Sequence, residues 1–172
     1  MPPTTRTEID PSACIGHVHL RVSDLARATA FYRDALGFTV RFYGPDIGLP
    51  AVFLAAGDYH HHIALNTFES EGGTPPGPGH TGLHHFAIRY PDRTALARAT
   101  QRLLDHHHPI DGAQDHGGTL AVYLRDPDGN GIELQYDRPF EDWFDADGRP
   151  IVKAEPFELE ELLGSRPEAA FV

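Results

Sequence analysis

Apolar and polar side chains alternate along Ile15-Gly16-His17-Val18-His19-Leu20-Arg21-Val22, the period of a strand with one buried face. Ser23-Asp24 then offers a helix N-cap, and Leu25, Ala28, Phe31, Tyr32 and Leu36 recur at helical spacing until Gly37. The same pattern returns further along. Leu83 to Tyr90 reads as a strand in which His85 takes the place of His17, Asp92 falls opposite Asp24, and Leu104 falls opposite Leu36. Strands over Phe38 to Tyr43, Val52 to Ala55 and Tyr59 to Asn66 complete the first unit. A segment near Ile110, then Thr119 to Arg125 and Gly131 to Tyr136, complete the second.

This predicts an α+β fold of two tandem βαβββ modules, forming a cupped mixed sheet with helices on its outer face. The expected parts are a flexible N-terminal arm (1–13), a first module (14–71), a linker (72–82), a second module (83–139) and a C-terminal extension (140–172). The linker rests on the run Gly72-Gly73-Thr74-Pro75-Pro76-Gly77-Pro78-Gly79, which excludes regular structure.

Alternation also assigns faces. Val18, Leu20 and Val22 are expected against the helix, which leaves His17, His19 and Arg21 on the open side. Phe86 and Ile88 pack inward while His85 faces away; Ile132 and Leu134 pack while Glu133 does not. Tyr123 falls on the open face, as do His60, His62 and Asn66 beside the core residues Ile63 and Leu65. His61 and His84 are expected on the helix side. His106-His107-His108 is expected to end a helix before Pro109, where a partly cationic group suits the carbonyl end.

Composition narrows the function. In 172 residues, 14 Lys+Arg against 25 Asp+Glu leave a formal charge of −11, which disfavours nucleic-acid binding. No apolar run approaches the ~20 residues of a membrane helix, no signal peptide is visible, and one cysteine, Cys14, permits no internal disulfide. A cytoplasmic enzyme without membrane attachment is the expectation. The 12 histidines matter only where the fold gathers them. His17 and His85, at equivalent repeat positions, and Glu133 form a candidate metal set. Two histidines and a carboxylate with open positions suit non-heme iron(II), with manganese(II) as an alternative.

Gly16 to Leu25 and Ala30-Phe31-Tyr32-Arg33-Asp34-Ala35-Leu36-Gly37-Phe38 resemble the opening of a vicinal-oxygen-chelate protein. Asp126-Pro127-Asp128-Gly129-Asn130-Gly131-Ile132-Glu133-Leu134 resembles that superfamily's closing turn and metal-binding strand, and the resemblance covers about residues 14–139. Tyr59 to Asn66 and Tyr136-Asp137-Arg138-Pro139 are similar to the small catechol 2,3-dioxygenase-like forms. The resemblance implies iron(II) on His17, His85 and Glu133, acid–base roles for His62 and His116, and a substrate hydrogen bond from Tyr123. It implies that His60, His19, Asn66 and Arg138 line the substrate, that Trp143 and Phe144 can form a lid, and that the protein is a homodimer. The implied partners are a small aromatic diol and O2. The alternatives are a glyoxalase-like lyase or epimerase using zinc or nickel, with His60 or His62 as a possible fourth ligand, and a non-catalytic protein that binds a small aromatic molecule.

Overall fold

The computed structural model describes residues 9–164; residues 1–8 of the expected arm and 165–172 of the extension lie outside the described residues. The first module contains β1 (Val18–Arg21), α1 (Leu25–Ala30), β2 (Thr39–Tyr43), β3 (Ala51–Ala55) and β4 (Ile63–Asn66). The second contains β5 (Phe86–Tyr90), α2 (Arg93–Asp105), β6 (Gly112–Gly117), β7 (Thr119–Arg125) and β8 (Gly131–Asp137). In each, the first strand pairs in parallel with the last: Val18 lies opposite Ile63, and Phe86 opposite Ile132. The other pairings are antiparallel, giving the orders β1-β4-β3-β2 and β5-β8-β7-β6. Hydrogen bonding thus divides the expected cup into two mixed sheets.

Both helices start where the sequence provides a cap. Asp24 accepts from the Arg27 N–H at 3.0 Å, and Asp92 from the Ala95 N–H at 2.7 Å. The helix expected over Leu25 to Leu36 is α-helical only to Ala30 and widens to a π turn over Phe31–Ala35. That wider turn lets the neighbours Phe31 and Tyr32 both enter the core. Gly37 follows at φ +84°, and a Cβ there would stand 2.5 Å from Arg102 Nη1 of α2. The left-handed backbone favours glycine here, while the Arg102 guanidinium could shift.

One apolar core runs through both modules, from Leu20, Val22 and Leu65 to Leu96, Leu103 and Leu134. Polar ties reinforce the junction. The buried Tyr32 hydroxyl donates to Asp126 Oδ2 at 3.0 Å, Ser23 Oγ donates to Asp128, and Arg27 donates to Asp128 at 2.8 Å. Asp126 Oδ1 meanwhile accepts from the Asp128 and Asn130 N–H groups, each at 2.9 Å. The Asp126–Gly131 segment is therefore a turn, as its composition predicts, and also the place where the first module docks.

The described part of the C-terminal extension, to residue 164, packs on the second module. β9 (Val152–Pro156) adds a fifth strand at the edge of β6, and α3 (Leu159–Leu163) packs on α2 through the fully buried Leu162. No helix among the described residues is long and apolar enough to cross a membrane.

Tyr32→Phe keeps the ring and removes one of the two donors to Asp126 Oδ2, the other being Asn130 Nδ2 at 2.9 Å. It is expected to cost about 2 kcal/mol of stability, measured as a lower urea midpoint with an unchanged slope; an unchanged midpoint would refute the docking role of this bond.

Candidate metal and substrate site

Parallel pairing of β5 with β8 decides what meets Glu133. Ala87 lies opposite it on one side and Tyr123 of β7 on the other, while Gly112 of β6 faces Tyr123. His85, just before β5, places Nε2 3.0 Å from Glu133 Oε2. The Tyr123 hydroxyl reaches Glu133 Oε1 at 3.1 Å and His116 Nε2 at 2.7 Å. Glu133 is only 7% exposed, so its charge is held by these partners rather than by water. Burial, the charge of Glu133 and the bond to it push the Tyr123 phenol up to about 12. Beside this group lies a cavity of about 560 Å³ lined by His85, Tyr123, Gly112, Gln114, Arg125 and Phe157.

The first sheet gathers a second set. The His17 ring lies 4.5 Å from that of His61, which stacks at 4.8 Å on Phe53 and places Nδ1 2.7 Å from His60 Nδ1. His62 accepts from the Ala56 N–H through Nδ1 at 3.3 Å, and its ring lies 4.7 Å from that of Tyr59. His19 Nε2 and Asn66 Nδ2 are 2.8 Å apart. Burial, followed by the positive potential of His17, His60, His19 and His62, lowers the His61 imidazole below its ordinary value.

The candidate residues therefore divide in two. His85, Glu133, Tyr123 and His116 form one cluster; His17, with His19, His60, His62 and Asn66 on the same sheet, belongs to the other. Among the described residues, no three His, Cys, Asp or Glu side chains stand together as a group able to hold a metal. An imidazole nitrogen and a carboxylate oxygen side by side are the right donor chemistry for two positions of a facial set, so the second sheet fits part of a divalent metal site.

Other expectations shift. His61 faces His17 rather than a helix, because β4 begins only at Ile63 and the turn before it, with Gly57 at φ +61°, breaks the alternation. His84 is likewise outside β5, exposed, with Nδ1 2.9 Å from that of His85. Arg138 donates to Asp115 at 2.8 Å, and its carbonyl accepts from Trp143 Nε1 at 2.7 Å, so it ties the extension to β6. Trp143 and Phe144 do line a cavity, about 410 Å³, with His116 at its wall. α2 ends at Asp105 with His106 as its C-cap and His107 at φ +53°, while His108 Nε2 lies 2.8 Å from the Arg125 carbonyl oxygen and its ring 4.7 Å from that of Phe31.

These two modules belong to a recognisable class: residues 14–134 match the Glyoxalase/Bleomycin resistance protein/Dioxygenase superfamily, and the chain is a member of it. It is 36% identical over 110 residues to a catechol-2,3-dioxygenase of Bacillus subtilis, and 34% identical over 125 residues to biphenyl-2,3-diol 1,2-dioxygenase 3 of Rhodococcus globerulus. Those alignments take in 64% and 72% of this chain but 38% and 63% of the relatives, so the chain spans only part of their length. A lactoylglutathione lyase structure from Agrobacterium tumefaciens superposes with a TM-score of 0.57 at 26% identity, covering 74% of this chain and 96% of that one.

Because Glu133 helps raise Tyr123, Glu133→Gln is expected to bring that phenol's titration down from about 12 toward 10. Ultraviolet absorbance of metal-free protein reads this directly; a phenol that does not move would detach Tyr123 from the carboxylate.

Proposed function

We propose that this protein is an extradiol ring-cleaving dioxygenase acting on a catechol-type substrate with O2. The observation that carries the reading is the chain Glu133–Tyr123–His116 beside His85, in a superfamily member whose relatives are named as diol dioxygenases. His85, Glu133 and His17 would hold iron(II). Bound there, the metal would supply positive charge that favours loss of a catechol proton.

The protein's own groups do the rest. Tyr123 stays protonated at neutral pH, its phenol lying near 12, so it serves as a hydrogen-bond donor to a substrate oxygen. The hydroxyl proton released by the diol needs a base, and His116, against Tyr123, and His62 are the two proposed acceptors. The cavity beside His85 admits an aromatic ring, and Gly112 leaves open space opposite Tyr123. Both atoms of O2 enter the product as the ring opens beside the diol, giving a semialdehyde acid.

His17 belongs to the other sheet, and this supports a homodimer in which the first sheet of one copy completes the second sheet of its partner. Exposed apolar groups near the first sheet and the linker, Ile15, Phe68 and Leu83 among them, are consistent with a covered face. A second reading, a glyoxalase-like lyase or epimerase with zinc or nickel and His60 or His62 as a fourth donor, draws on the lyase structure that superposes.

After anaerobic iron loading, catechol is expected to drive O2 uptake and a yellow ring-fission product, and His85→Ala and Glu133→Ala to abolish both. Colourless reactions across a broad catechol panel, with zinc or nickel bound stoichiometrically, would favour the second reading. His17→Ala and Glu133→Ala proteins, each inactive, are expected to recover about a quarter of wild-type activity when refolded together, since half the dimers then carry one intact site. No recovery would place all three donors in one chain.

A further inference from the structure

The superfamily match ends at residue 134, yet the second sheet carries a strand beyond it. β9 runs antiparallel to β6 with Asp115 opposite Glu155, then slips so that Gly117 faces Val152. His116 sits in that slip. Its surroundings are pinned on both sides: Asp115 accepts from Arg138 at 2.8 Å and from the Gly117 N–H at 2.8 Å, and Lys153 Nζ stands 3.2 Å away. Gly117 takes φ +88°, and a Cβ there would lie 2.5 Å from Ile151 Cγ2. The consequence is one short contact from backbone to ring. The Lys153 carbonyl oxygen lies 2.9 Å from His116 Nδ1.

A carbonyl oxygen only accepts, so Nδ1 must carry a hydrogen. In the neutral ring Nε2 is then bare, and Nε2 is the atom 2.7 Å from the Tyr123 hydroxyl. We propose that β9 is a positioning strand: its Lys153 carbonyl holds neutral His116 as the Nδ1–H tautomer and turns an unprotonated Nε2 onto Tyr123. The Tyr123 hydroxyl has one hydrogen and two acceptors in reach, His116 Nε2 at 2.7 Å and Glu133 Oε1 at 3.1 Å. A bare Nε2 competes with Oε1 for that hydrogen until a substrate oxygen takes it. The value of this for catalysis rests on the ring-cleavage reading; the tautomer does not.

Long-range proton–nitrogen correlation spectra of metal-free, full-length protein read the tautomer, with the His116 signals identified by their absence in His116→Gln. A pyrrole-type Nδ1 and a pyridine-type Nε2 are expected; the reverse assignment overturns the proposal. Gly117→Ala, which forces a Cβ against Ile151, is expected to shift His116 toward the Nε2–H form that a solvated neutral histidine side chain prefers. Should that protein fail to fold, Asp115→Asn loosens the same strand more mildly. Retention of Nδ1–H in whichever variant folds overturns the role of β9. With catechol turnover, His116→Gln is expected to lower kcat at least about tenfold with little change in KM; a change confined to KM overturns the positioning role. A chain inactive on every catechol that still shows the Nδ1–H spectrum supports the tautomer and refutes ring cleavage instead.

Discussion

A carboxylate in the middle of a sheet has to be met by donors, and most of what distinguishes this molecule follows from meeting that requirement at Glu133. Its neighbours Ile132 and Leu134 are fully buried on the opposite face, so the strand cannot turn to give the acid to water. The parallel β5–β8 pairing brings His85 to one oxygen, and the antiparallel β7–β8 pairing brings Tyr123 to the other. His116 then follows from Tyr123, and β9 from His116. Each partner is itself held by the next, which is how a rigid site is built from flexible side chains.

The repeat explains why one sequence provides two unlike halves. Both modules present an open sheet face at equivalent positions, but the first fills it with imidazoles and the second with an acid, a phenol and two imidazoles. On the histidine-rich face, burial and the neighbouring imidazoles lower His61 below its ordinary value. The other carries the negative charge. A cation between them would complement both.

Much of this was legible from alternation alone. Inside strands the period of two is enforced by the pleat, so Glu133, Tyr123, His19 and Asn66 fall on the faces their neighbours imply. It failed where the chain leaves the ladder. His61 and His84 sit one to two residues before their strands begin, and turn geometry, not the pleat, aims them. Nor could the sequence tell that His17 and Glu133 belong to different clusters, since alternation gives the face of a strand but not the distance between sheets. β9 was hidden for another reason: Val152 to Pro156 contains one large apolar residue, because an edge strand packed on one side by a polar bulge needs little burial.

The bond from Tyr32 to Asp126 crosses 94 positions of the chain. While a nascent polypeptide has delivered only its first half, that phenol is destined for the interior but has no acceptor, and the core around Leu96 and Leu103 does not yet exist. The early half therefore meets the Asp126 acceptor and part of its apolar core only once the later half has been made. Consolidation of that junction waits for the late turn, although the two halves share one pattern.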